Sequence, residues 1–220
     1  MLDSLPKSRR EAAEAALRGD PHPLLQQLGS PAAMRVLGEK LGSPAPAVRD
    51  AEGLRQFLAW YETHVLGPRE LPIIQQAYNH AARGHARELI ALDHGLATVS
   101  EWMAIAEASQ LAGRTHLRRL RPLKDLKLIA TYWGAVEKGE AFGWHATVYG
   151  VILAVFALPL RQGLLHYARQ SLGSFIRASQ EPLRLSETTA TLLTQAAEDR
   201  LPAVVNKAVS SASPQGFTIV

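Results

Sequence analysis

The stretch "GWHATVYGVILAVFALPL", residues 143–160, decides the fold. From Ala146 to Leu160 it carries no charge, yet it falls about five residues short of the roughly 20 that a membrane-spanning helix needs. Tyr149, Gly150 and Pro159 interrupt it as well. A helix from Gly143 to Leu158 that is apolar on every side belongs in the middle of a protein core. Other helices must then cover it, each apolar on one face only.

The flanking sequence supplies such helices. Leu54, Phe57, Leu58, Tyr61 and Val65 share one helical face behind Asp50, a residue suited to an N-cap. Gly67-Pro68 is expected to end that helix. Leu71, Ile74, Tyr78 and Ala81 repeat the pattern up to Gly84, and Leu89, Leu92, Leu96 and Val99 form a third stripe. Ser100 is expected to cap a longer helix that Pro122 stops near Arg121, with another from Lys124 to Lys138. Downstream, Pro159 reads as the first residue of a helix reaching Ser179, with Leu165, Ala168, Leu172, Phe175 and Ile176 on one side. Pro182 breaks the chain. Ser186 and Glu187 open a helix through Asp199, and Pro202 a short last one. Gly29 to Arg49, rich in Pro, Gly, Ser and Ala, reads as one short helix between loops. Nowhere does polarity alternate over six residues as in a half-buried strand. The expected architecture is all-α: one domain of eight to ten helices over residues 22–210. A loose N-terminal segment (1–21) and a C-terminal tail (211–220) flank it.

Composition narrows the function. In 220 residues there is no cysteine, which excludes disulfides and zinc–thiolate sites and fits a cytoplasmic setting. The opening "MLDSLPKSRREAAEAALRGD" has no apolar leader core. Neither a membrane nor a nucleic acid is demanded as partner, although the net charge of +4 permits an acidic one.

Eight histidines invite a metal, but neither the Glu-x-x-His nor the His-Glu-x-x-His pattern of the known helical metal sites occurs. Phosphate-cradling and nucleophile-elbow motifs are absent, and Ser4-x-x-Lys7 matches a catalytic pattern by letters only. Asp93-His94 reads as a surface pair. His145, between Trp144 and Tyr149, reads as a packed imidazole kept neutral by burial. Its rival reading is a helical metalloenzyme in which His145 works with Glu140 or Glu137. Gly113 and Gly173 lie inside helices, where glycine costs about 1 kcal/mol relative to alanine, so each should compensate through a close helix contact. Finally, "RTHLRRLRPLKDLK", residues 114–127, concentrates Arg114, Arg118, Arg119, Arg121, Lys124 and Lys127. Three readings stay open for it: a solvated helix end, a docking patch for an acidic protein, or an RNA-binding surface that lacks the usual stacking aromatics.

Several of these stretches, taken in order, resemble the urease accessory protein family UreF. His145, Val148 and Gly150 precede "ALPLRQGLLHYARQSLGSFIRASQEPL", which places Tyr167, Arg177, Pro182 and Leu183 where that family has its tyrosine, arginine and Pro-Leu turn. Ser109, Gly113, Arg114 and Leu117 match its Ser-x-x-x-Gly-Arg-x-x-Leu element. The similarity spans about residues 22–210. Two departures stand out. The family's N-terminal Leu-Pro-x-Gly-x-Phe element has no counterpart, and the Gly-Gln that usually follows Pro-Leu is replaced by Arg184-Leu185. The resemblance implies an all-α scaffold that catalyses no reaction and binds no cofactor itself. It would dimerise and link a UreD/UreH-type urease-binding protein to a UreG-type GTPase during nickel insertion into urease. Nickel and GTP belong to that wider assembly. It also implies partner contacts around Arg177 and Pro182 to Arg184, and structural roles for Ser109, Gly113, His145, Gly150 and Tyr167.

Overall fold

A computed structural model describes the protein at residue 11 and over residues 22–28, 30–123 and 125–211. The expectations for the rest of the N-terminal segment, for Lys124 and for the tail after 211 lie outside the described residues. The structure is 79% helical, with no strand among the described residues. Among the described residues, nine helices of ten residues or more build it: α1 (Pro31–Lys40), α2 (Ala51–Tyr61), α3 (Leu71–Ala82), α4 (Ala86–Gly95), α5 (Ala106–Arg119), α6 (Lys127–Lys138), α7 (His145–Val155), α8 (Leu160–Gln180) and α9 (Glu187–Ser211). Single helical turns at Leu25–Leu28 and Ser100–Met103 supplement them.

The apolar run behaves as its composition requires. Every residue of α7 from His145 to Leu153 is buried. α3 and α5 flank it, with α4 and α8 also in contact, while α9 lies along α8 and reaches α3. Two glycines make the close approaches possible. A Cβ on Gly113 of α5 would overlap the Gly143 carbonyl and sit 2.7 Å from the His145 nitrogen. One on Gly150 would overlap the Ile74 carbonyl and sit 2.8 Å from the Ala77 Cβ. The expectation for Gly173 fails: a Cβ there would meet only the Arg177 guanidinium, at 3.1 Å.

Three proline readings change. Gly67-Pro68 does not end the second helix, because Glu62–Glu70 continues it as a π-helix into α3. In an α-helix the Pro68 ring would collide with the carbonyl four residues back, and the wider π turn relieves that clash. Pro202 lies inside α9 instead of starting a new helix. Leu193, Ala197, Leu201, Val205 and Ala208 are buried on both sides of it, while its ring faces solvent. One continuous buried stripe thus carries the helix across the missing N–H. Pro159 is the N-cap of α8 and not its first residue.

The long helix expected from Ser100 to Arg121 is broken at Ala104–Ile105 and stops at Arg119. Ser100 does not cap it, since its hydroxyl bonds to Glu101. The break turns both Trp102 and Ile105 into the core. Asp50 caps α2 as expected, accepting from the Gly53 N–H at 2.7 Å.

Candidate functional site

No side chain of its own segment caps the start of α7. The N–H groups leading into it and that of its first residue donate to side chains of other helices. Asp93 of α4, fully buried, accepts from the backbone N–H groups of Phe142, Gly143 (3.0 Å) and Trp144 (3.1 Å) and from the Tyr132 hydroxyl of α6 (2.7 Å). Ser109 Oγ of α5 accepts from the His145 N–H at 3.3 Å. A carboxylate at a helix N-terminus also opposes the positive end of the helix dipole. Burial pushes the Asp93 carboxyl above its usual range, and the four hydrogen bonds oppose that push. Asp93 is therefore no surface residue, contrary to the expectation for Asp93-His94. Only His94 is exposed, its Nδ1 3.3 Å from the Glu140 carbonyl.

One turn into the core, His145 opens a chain of buried polar side chains. Its Nδ1 lies 3.4 Å from the Tyr167 hydroxyl of α8, and its ring meets His116 of α5 edge-on at 5.1 Å. His22, from the segment before α1, completes the group 6.2 Å from the His145 ring. The Leu24 N–H donates to His22 Nδ1 at 3.2 Å, which leaves the proton on Nε2 to be donated to Glu70 Oε1 at 3.0 Å. The Tyr61 hydroxyl donates to the other Glu70 oxygen. A void of about 10 Å³, the size of one water, lies between His22, His116, His145 and α8.

The His145 imidazole and the phenols of Tyr61, Tyr149 and Tyr167 are held in their neutral forms. Burial, then the neighbouring His116 and His22, drive the His145 imidazole well below the usual histidine range. Burial and the Glu70 charge push the Tyr61 and Tyr167 phenols well up, and burial pushes Tyr149 up. A neutral imidazole bonded to a phenol orients helices. It offers solvent neither an accessible base nor a nucleophile.

Glu137 and Glu140, the proposed partners of His145 in a metal site, are exposed, and Glu137 accepts from the Trp133 indole at 2.5 Å. Among the described residues no three His, Cys, Asp or Glu side chains are grouped so as to hold a metal ion. No helix there is long and apolar enough to cross a membrane.

The basic stretch spans a bend from the last turns of α5 to the first residue of α6. Arg114, Arg118, Arg121 and Lys127 are exposed and Arg119 is half-buried. The Arg114 Nε donates to the Phe142 carbonyl at 2.9 Å, and the Arg121 guanidinium sits 6.0 Å from the Trp133 ring centre. Arg177 is exposed on the last turns of α8, followed by Pro182, half-buried Leu183 and Arg184. Arg184 adopts a left-handed conformation (φ 50°) that closes the helix end. Ser109, Gly113, His145, Gly150 and Tyr167 are brought together on or against α7. Sequence reasoning missed Asp93, His22, Glu70 and His116. The signal for two of them was register: Asp93 lies four residues after Leu89 and three before Leu96, and His116 three after Gly113, on the buried faces of their helices.

The fold and this interior define an all-α protein whose central polar residues serve packing. The family model of UreF matches residues 48–198, and the chain belongs to the UreF family. A comparison with curated proteins gives no match. Membership carries with it the role of a urease accessory protein.

Proposed function

We propose that this chain is a non-catalytic scaffold for urease maturation. It acts as a cytoplasmic homodimer that links a UreD/UreH-type protein bound to urease with a UreG-type GTPase. Nickel is the cargo of that assembly, and GTP is turned over by the GTPase. The observation that carries the reading is the family match over residues 48–198. Its mechanism is positional: a rigid helical body fixes where the GTPase releases metal relative to the apoenzyme. The exposed Arg118, Arg121 and Lys127 favour an acidic partner face, because charge complementarity raises the rate and specificity of docking.

Co-purification from cells expressing a urease operon tests this. The wild-type chain should retain both partners, and an Arg118→Glu/Lys127→Glu double variant should retain less of at least one, at unchanged helix content. If both partners are absent from the wild-type preparation, the scaffold reading fails. Stoichiometric metal in the isolated chain would instead favour the reading based on His145. RNA binding that weakens steeply with salt would favour the one based on residues 114–127.

A further inference from the structure

We infer that the π-helix Glu62–Glu70 is a register switch that couples the segment carrying His22 to α9 and to an apolar groove. The segment joins α2 to α3 without a break and carries a buried carboxylate at each end. Glu62 takes a two-pronged ion pair from Arg200 of α9, at 2.9 and 2.7 Å. Glu70 is held by His22 and Tyr61. Gly67 lies between them beside Val204 of α9, where an added Cβ would make an ordinary contact with its Cγ1 at 3.5 Å. His22 and Arg200 both lie outside residues 48–198, so both ends of the coupling fall beyond the family match.

The coupling follows from helix geometry. Leu71 donates to the Leu66 carbonyl, five residues back. Rewinding the segment to the α register closes each bond one residue earlier and turns one end against the other by about 100°. Glu62 and Glu70 cannot both keep their partners through such a turn. Each contact therefore stabilises the register that the other requires. Pro68 and Arg69 wall a groove of about 340 Å³ with Pro72, Ile73, Leu96 and Trp102. The Arg69 guanidinium bonds to the His64 carbonyl at 3.1 Å and lies 3.5 Å from Glu101. A register change moves that wall, so release of the His22 segment alters the groove. This device is independent of the role proposed in urease maturation.

Amide hydrogen exchange on the full chain tests it. His22→Phe keeps an aromatic ring and removes both the Nε2–H donor to Glu70 and the Nδ1 acceptor of the Leu24 N–H. Arg200→Met keeps most of the stem and removes the charge; its side chain is 43% exposed, so the variant is expected to fold. Each variant should raise exchange across residues 62–70 about tenfold and reach the opposite end: α9 for His22→Phe, residues 22–28 for Arg200→Met. Protection in α5 and α7 should stay within about twofold. Changes confined to the mutated neighbourhood overturn the inference. So does a uniform loss everywhere, which reports global destabilisation. If His22→Phe does not fold, Arg200→Met decides alone by the same criteria.

Discussion

The apolar run around α7 and the basic run from Arg114 to Lys127 meet where the Phe142 carbonyl accepts from Arg114 and where the His116 ring meets that of His145, yet they follow opposite rules. Around α7 each position is fixed by volume or by a buried bond: Gly113 and Gly150 by backbone approach, Asp93 by four donors. Along the basic run Arg118 and Lys127 project into solvent, so substitution there changes the charge offered to another molecule and little inside this one. The interior should therefore report substitutions as stability, and the surface as association.

The sharpest break in that contrast is at the glycines. Gly113→Ala and Gly150→Ala should each lose about 3 kcal/mol or more in urea unfolding, because backbone atoms must move. Gly173→Ala, in the same type of helix with only the end of Arg177 to displace, should gain up to about 1 kcal/mol. Asp93→Asn leaves four donors facing one acceptor and an NH₂ group. We expect a loss of about 2–3 kcal/mol and a changed near-ultraviolet spectrum from Trp144.

Next in size is pH. His145 is neutral in the fold, with its pKa depressed by burial, whereas the unfolded chain takes up that proton near pH 6.5. Its stabilising contribution is thus full above about pH 6.5 and is lost as the pH falls below that value, by up to about 1.4 kcal/mol per unit. Asp93, raised in the fold, acts in the opposite sense at lower pH. Melting temperatures at pH 7.5 and 5.5 should differ, and the difference should shrink in His145→Gln. Arg184→Gly should add about 1 kcal/mol by restoring a residue that adopts positive φ without cost. The smallest stability change, within about 0.5 kcal/mol, is expected for Arg118→Glu, which should show its effect in partner capture instead.

The fold was legible where one residue type answers to one cause. The uncharged run around Val151 placed α7, the turn chemistry of Asp50 placed α2, and the face of Phe175 and Ile176 placed α8. It was illegible where a local signal met a tertiary one. Pro68 and Pro202 are breakers by their own chemistry, but burial on both sides outweighs it. Of the interior cluster, His145 could be read as packed from its neighbours. For Asp93 register signalled burial but not its donors, which come from residues 132 and 142–144. His22 meets Glu70 from 48 residues away, and no spacing rule reaches that far.

The Glu62–Arg200 pair joins residues 138 apart in the chain. On a ribosome adding 5–20 residues per second, Glu62 waits roughly 7 to 28 seconds for its arginine to be synthesised. Through that interval the nascent polypeptide carries an unneutralised carboxylate and the uncovered flank of α3. Until α9 emerges to close it, the helical body already made is exposed to aggregation along that flank.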